Sequence, residues 1–153
     1  MKMNDGIIGV ETDPQGSMIT IKLANNIGGT PVVPFFMEHY AKLIRDGHAH
    51  PYIMGTNKSK AIYAELDGDF AGHIVFDIQE DIVKTAWIVF SCVEEGFRKR
   101  GIYTLMHKYF ELYLKEIGSK KIASFVHVTN EVRQQSCAAV GMDPVFIRME
   151  KNL

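Results

Sequence analysis

Residues 93–111, VEEGFRKRGIYTLMHKYFE, are the stretch of the sequence that decides the fold. Three cations, Arg98, Lys99 and Arg100, stand directly before a glycine and an apolar pattern that recurs every three or four positions. This pattern predicts a helix from about Ile102. The amino end of a helix carries about half a positive charge, so acidic or hydroxyl residues are usual there. The three cations therefore need a physical explanation.

The start of this helix suits a bound anion. No Ser, Thr, Asp or Asn directly precedes Ile102 to cap it, so its first backbone N–H groups lack a partner. Unpaired N–H groups, the helix dipole and three cations together favour a polyanion at this position, and Gly101 lets it approach the backbone closely. The alternative is a solvated basic loop that Glu94 and Glu95 neutralise in part. The local pattern supports both interpretations.

The composition is that of an ordinary globular domain. A length of 153 residues is enough for one domain with a buried core, and we predict a single domain over residues 1–153, with an additional strand within 1–17. The 17 basic and 18 acidic side chains nearly balance. We therefore expect no nucleic-acid partner and no anionic membrane surface, and any anion site must be local.

Cysteine usage and hydropathy indicate a cytoplasmic protein. Cys92 and Cys137 form neither a CxxC pair nor a disulfide framework, which favours a reducing compartment. The first residues include acidic side chains and a turn, where a secretory signal has a continuous apolar stretch. No run approaches the ~20 apolar residues of a membrane span. We expect a cytoplasmic location and no membrane partner.

The order of the expected elements describes a mixed sheet flanked by helices, an α+β fold. Strands are predicted as hairpins at 7–23, with the turn at 13–16, and at 61–79, with the turn at 67–69. Single strands are predicted at 85–93, 121–128 and 144–153. Helices are predicted from about Pro34 to Gly47 and from Ile102 to Gly118. A third helix is predicted through Val140, with Asn130 as its cap and Gly141 at its left-handed end. The run 85–93 is the most apolar, so we expect it at the centre of the sheet. Residues 49–60 are predicted to form a loop.

Nucleotide-binding loops do not explain the basic stretch. Gly96 and Gly101 have the G-x-x-x-x-G spacing of a P-loop, but Ile102 and Tyr103 follow where that motif needs Lys and Ser or Thr. No G-x-G-x-x-G occurs, so a dinucleotide-binding Rossmann unit has no support. The polyanion must belong to another class of ligand.

Two motifs resemble those of the GNAT acetyltransferase superfamily. The run V-E-E-G-F-R-K-R-G-I-Y resembles its acyl-CoA signature, R/Q-x-x-G-x-G/A after a central strand, with Arg98, Gly101 and Tyr103 at the three specified positions. Tyr103 departs from the Gly or Ala that the family prefers. The run V-H-V-T-N-E-V-R-Q-Q-S-C-A-A-V-G-M resembles the later strand, N-x-x-A, helix and Gly-Phe, with Asn130 and Gly141 at the expected spacing. Both motifs occur in the family's order.

The resemblance implies the acyl-CoA N-acyltransferase fold, a mostly antiparallel mixed sheet whose central strands splay apart, from about Met18 to Lys151. Acetyl-CoA or coenzyme A would insert its pantetheine arm between the splayed strands and pair with backbone groups as an extra strand would. The pyrophosphate would lie on the amides after the strand, with the cations around it. The implied cofactor-binding residues are Cys92, Val93, Arg98, Lys99, Arg100, Gly101, Ile102, Tyr103, Thr104 and Asn130.

The implied reaction is direct attack of a neutral amine on the thioester carbonyl, with the N–H of Val93 as donor to the oxyanion. The family's usual acid is a Tyr seven residues after the Asn, and Cys137 stands there in this chain. A thiol could protonate a departing thiolate, because the two have similar basicity. The alternative is that Cys137 is a small buried hydrophobe, as free cysteines often are.

The family's usual base, a Glu midway along the central strand, is also missing, and Trp87 stands near that place. His127, beside the second motif, is the candidate that replaces it, and His73 on the predicted hairpin is another. A lone histidine in a strand is more often structural. Glu94 and Glu95 are nearer to the site in sequence but are expected in the loop.

We therefore predict an N-acetyltransferase that acts on a small-molecule or peptide amine. The alternatives are a non-catalytic acyl-CoA-binding module, favoured by the missing Tyr and Glu, and an interaction domain that has lost the cofactor. The additional strand within 1–17 could cover a sheet edge in this chain or in a second copy, which would make a homodimer. The His48–His50 pair has no third ligand signalled in sequence, so we predict no metal.

Overall fold

Six strands pair in chain order into one sheet in the computed structural model, which describes residues 3–48 and 55–153. The strands are β1 Gly6–Thr12, β2 Met18–Ala24, β3 Lys60–Leu66, β4 Asp69–Gln79, β5 Thr85–Val93 and β6 Lys121–Ser124. The helices are α1 Val32–Arg45, α2 Ile102–Glu116 and α3 Glu131–Ala139, with a 3-10 turn at Glu95–Phe97. Neighbours from β1 to β5 are antiparallel, and β6 runs parallel to β5. The predicted mixed, mostly antiparallel sheet is confirmed.

The local sequence accounts for the two hairpins. Asp67 and Gly68 join β3 to β4 with φ angles of 49° and 90°, the left-handed conformation that two-residue hairpin turns require. In the turn from β1 to β2, the N–H groups of Gln15 and Ser17 donate to the Asp13 carboxylate. Both turns lie where the sequence predicts them.

The core has two layers, one on each face of the sheet. On one face, α2 buries Met106 and Phe110, and the Phe110 ring lies 4.6 Å from the ring of Phe76 on β4. Gly72 on β4 makes this close packing possible, because a Cβ there would lie 3.1 Å from the Met106 methyl group. On the other face, Phe36 of α1 packs with a second apolar group. β3, β4 and β5 are therefore covered on both faces of the sheet.

Three strand predictions are wrong: one in its extent, one in its place in the sheet and one because no strand forms. The strand predicted at 121–128 ends at Ser124, and the apolar β5 is fifth of six rather than central. β5 is apolar because α1 and α2 cover its two faces, which does not require a central position. No strand forms at 144–153, where Phe146 is 92% and Ile147 88% exposed. An apolar alternation becomes a strand only beside a free edge, and β6 offers four residues.

Part of the predicted loop at 49–60 and of the His48–His50 pair lies outside the described residues. Within 3–48 and 55–153, no helix combines the length and the apolar character that crossing a bilayer requires.

Candidate functional site

The second half of β5 has an open edge. β6 pairs with β5 only from Thr85 to Ile88, whereas β4 accompanies β5 to its end at Val93. Among the described residues, no strand pairs with the β6-facing edge of 89–93. A bulge at Val89, opposite the step from Val75 to Phe76, bends β5 where its pairing with β6 stops. The sheet is therefore split between β5 and the chain that follows β6, as the splayed strands of the resemblance imply.

The backbone of Val93 faces this opening. The N–H of Glu94 donates to the carbonyl of Ala71 on the β4 side, over 2.8 Å. Because successive residues of an antiparallel strand point their backbone groups to opposite sides, the N–H and C=O of Val93 point away from β4. The Arg98 Nε–H donates to that C=O over 3.0 Å. The Val93 N–H is thus placed to donate to a ligand in the opening.

The amino end of α2 lies directly after this strand and has no side-chain cap. Gly101 occupies the cap position with φ 76°, and no acidic residue stands in the first turn. A Cβ built on Gly101 would meet nothing within 4 Å, so the space before the helix is open. The N–H groups of Ile102, Tyr103 and Thr104 have no acceptor within the helix. Three amides and the helix dipole therefore converge on open space, which favours an anion.

The three cations have different environments. Arg100 donates from Nε and Nη2 to the Asp13 carboxylate, over 2.9 and 2.6 Å, and from Nη2 to the Ser17 hydroxyl. Burial acts to raise the pKa of Asp13, but the N–H of Ser17 and the Arg100 guanidinium outweigh it and lower that pKa. Arg98 reaches back to Val93, and Lys99 is exposed with φ 61°. The predicted phosphate contact of the Arg100 side chain is therefore not supported, because Asp13 holds the guanidinium.

Tyr103, which departs from the family signature, is directed toward α3. Its hydroxyl accepts from Arg133 Nη1 over 2.8 Å, and the guanidinium also lies over its ring. Asn130 caps α3, because its Oδ1 accepts from the N–H of Arg133. The predicted capping role of Asn130 is confirmed. The bulky side chain at 103 thus connects α2 to α3.

The two predicted catalytic side chains lie on the segment after β6. Cys137 is buried on α3, with 8% exposure. His127 is exposed, its Nδ1 is 2.8 Å from the Thr129 hydroxyl, and its ring stacks on His48 at 5.2 Å. Among the described residues, no hydrogen bond joins either side chain to Val93. Their roles as acid and base stay predictions.

His73 is enclosed among aromatic rings. Its two ring nitrogens are buried without a hydrogen bond among the described residues, and Phe36, Phe70 and Phe90 lie around it. Burial, with a smaller contribution from His39, lowers the pKa of His73 to about 3. The ring is therefore neutral near pH 7 and too weakly basic to take a proton from an amine.

A pair that the sequence interpretation missed lies beside the end of β5. His39 Nε2, on α1, and Glu94 Oε1 are 2.7 Å apart, and each side chain is 19% exposed. These two atoms and Cys92 Sγ all lie within 4.8 Å of one another. Burial, reinforced by Glu94, raises the pKa of the Cys92 thiol. Sequence offers no pattern that links residues 39 and 94, because only the packing of α1 on β5 brings them together.

Comparisons with known proteins agree with this geometry. Residues 30–141 match the model of the acetyltransferase (GNAT) family. The chain is similar to an aminoglycoside N-acetyltransferase, AAC(6')-Iy, in complex with CoA, with 18% identity, a TM-score of 0.62 and coverage of 92% of this chain and 97% of that one. It is also similar to a ribosomal-protein-alanine N-acetyltransferase from Brucella melitensis biovar Abortus 2308, with 12% identity, a TM-score of 0.65 and coverage of 88% and 99%.

A third similar structure is an aminoglycoside acetyltransferase from an uncultured soil metagenomic sample, in complex with sisomicin. Its identity to this chain is 12% and its TM-score 0.60, with coverage of 88% of this chain and 96% of that one. No curated protein matches the sequence significantly.

Proposed function

The chain belongs to the GNAT acetyltransferase family, and we propose that it transfers the acetyl group of acetyl-CoA to the nitrogen of a small-molecule amine. The observation that carries this proposal is the open edge of β5 at Val93, next to the uncapped start of α2. The two features suit the two parts of a phosphorylated thioester such as acetyl-CoA. Its amide-containing arm pairs with a free strand edge, and its phosphates bind the amides of a helix start.

The cofactor site that we propose follows the chain from β5 into α2. The pantetheine arm would lie along Cys92 and Val93, and the pyrophosphate on the amides of 98–104. The proposed ligands in this loop are the backbone of Arg98, Lys99, Arg100, Gly101, Ile102, Tyr103 and Thr104. The side chains of Arg98 and Lys99 would add positive charge, whereas Arg100 would contribute its amide alone, because Asp13 holds its guanidinium. Asn130 would contact the cofactor from the start of α3.

The proposed chemistry uses the direction of one backbone group. As the amine attacks the thioester carbonyl, negative charge develops on the carbonyl oxygen. The N–H of Val93 points into the opening where this oxygen would lie, and it is fixed there by the bond from Glu94 to Ala71. A donor that is already in position stabilises the developing charge without reorganisation.

The acceptor class that we propose is a small-molecule amine. Two of the similar structures are aminoglycoside acetyltransferases, one of them in complex with sisomicin. We propose a cytoplasmic location, which the free thiols of Cys92 and Cys137 support. We also propose one domain over 1–153, because β1 belongs to the same sheet as the other strands. We propose a homodimer only from the sequence, in which the additional strand within 1–17 could cover a sheet edge of a second copy.

We expect acetyl-CoA to stabilise the protein and to be consumed when an amine acceptor is present. A ligand that binds only the native state at 100 times its Kd adds about 2.7 kcal/mol to the free energy of unfolding, so the melting temperature should rise. Thermal unfolding with coenzyme A measures the stabilisation. Thiol release from acetyl-CoA across a panel of amines measures its consumption. Binding of coenzyme A without thiol release on any amine would favour the non-catalytic module. The proposal is contradicted if coenzyme A does not stabilise the protein and no amine causes thiol release.

A further inference from the structure

The His39–Glu94 pair lies at the end of the open edge of β5. Glu94 directly follows Val93, and its carboxylate accepts the bond from His39 over 2.7 Å. The Cys92 thiol lies within 4.8 Å of both interacting atoms and contacts the carbonyl of Val93 at 3.5 Å. The pair is therefore close to the position that the proposed function gives to the thioester carbonyl.

The hydrogen bond decides which ring nitrogen of His39 can take a proton. A carboxylate can only accept, so Nε2 of His39 is the donor to Glu94, and Nδ1 is the nitrogen of the neutral ring that can take a proton. The bond to Glu94 also fixes the orientation of the ring, with Nδ1 on the side away from the carboxylate. The ring of Phe90 stacks on His39 at 6.3 Å with an angle of 20° and holds the imidazole plane. These are the features of an oriented general base.

We propose that His39 is the general base that removes the proton from the acceptor amine, and that Glu94 positions it. This inference rests on the proposed acetyl transfer. It assigns a base to a chain that lacks the glutamate usual on the central strand.

The proton and the bonds balance in this step. The amine nitrogen forms a bond to the acetyl carbon while one of its protons passes to His39 Nδ1. The C–S bond of the thioester breaks, and coenzyme A leaves as a thiolate. The imidazolium then gives its proton to water, and water protonates the sulfur. The net result is an amide and a free thiol.

Neighbouring groups are less suited to this role. His73 lies on the same face of the sheet, but it is fully buried and its pKa of about 3 makes it too weak a base. The Cys92 thiol has a raised pKa because of burial and of Glu94, so it stays protonated near pH 7. The spacing of His39, Cys92 and Glu94 would also suit a metal ion, which the experiment must separate from proton transfer.

We expect His39→Ala to lower kcat by roughly 100- to 10,000-fold, which is the usual contribution of a general base. The KM for acetyl-CoA and the thermal shift with coenzyme A should stay unchanged, because the proposed cofactor contacts come from the backbone of Cys92 and Val93 and from the amides of 98–104, which the substitution leaves in place. Added imidazole should restore part of kcat in His39→Ala, since a small base can occupy the space left by the ring. Glu94→Gln should lower kcat less than His39→Ala does, since it keeps an acceptor for Nε2–H but loses the charge.

Glu95→Gln is the matched control, because this neighbouring carboxyl is exposed and outside the pair. Its kcat should equal that of the unchanged protein. If His39→Ala binds coenzyme A and keeps its full kcat, or if imidazole restores nothing, the assignment is wrong. Activity that a chelator abolishes and zinc restores would also overturn it in favour of a metal role. Failure of the unchanged protein to bind coenzyme A would instead contradict the proposed function.

Discussion

Gly101→Glu will lose at least roughly 100-fold in affinity for coenzyme A, because two like charges 4 Å apart repel by about 4 kcal/mol at an effective dielectric constant of 20. Position 101 is where the first amides of α2 meet open space. A glutamate there would put its carboxylate in the place that we assign to the pyrophosphate. Isothermal titration with coenzyme A measures the loss.

Gly101→Ala is the matched control for this substitution. With φ 76°, any residue with a Cβ is strained at this position, at about 1–2 kcal/mol. The alanine variant should therefore share the loss of stability but keep most of the affinity, because it adds no charge. Equal affinities of the glutamate variant and the unchanged protein would show that the phosphates bind elsewhere.

Val93→Pro will lower kcat by roughly 100- to 1,000-fold, which is the usual cost of removing one donor from an oxyanion hole. Proline has no N–H, and the N–H of Val93 makes no bond to β4 because it faces the opening. The substitution therefore removes the proposed donor without removing a bond of the sheet. Steady-state kinetics with a saturating amine measure the effect.

The control for Val93→Pro is Val93→Ala, which keeps the N–H and shortens the side chain. Val93 packs against the α2 core, so both variants should lose some stability. A thermal shift with coenzyme A establishes that each variant is folded and binds the cofactor. If the proline variant binds coenzyme A and keeps the kcat of the alanine variant, Val93 is not the oxyanion donor.

Local features of the fold could be predicted from the sequence because the residues that specify them are adjacent. Asn130 caps α3 and Gly141 follows that helix with φ 82°, as expected. The hairpin turn at Asp67 and Gly68 is likewise encoded in two residues. The split beside β5 came from the resemblance rather than from any local pattern. The split exists because β6 is short and stops pairing with β5 at Ser124. No local sequence pattern marks that residue as the end of the strand.

Features that depend on tertiary contacts could not be predicted. Arg100 was expected on a phosphate, but the β1–β2 turn brings Asp13 to its guanidinium. The strand predicted at 144–153 has a suitable apolar pattern but does not form, and Phe146 and Ile147 stay exposed. The His39–Glu94 pair exists only because α1 packs over β5. For Arg100 and for His39, a side chain far away in the sequence decides the outcome.

The central claim is that the open edge at Val93 and the first amides of α2 form one binding site for a phosphorylated thiol cofactor. Titration of the ¹⁵N-labelled protein with coenzyme A, followed by amide NMR, tests it most directly. We expect the largest shifts at the amides of Val93, Ile102, Tyr103 and Thr104. Shifts confined to other surfaces, or none at saturating coenzyme A, would contradict the claim.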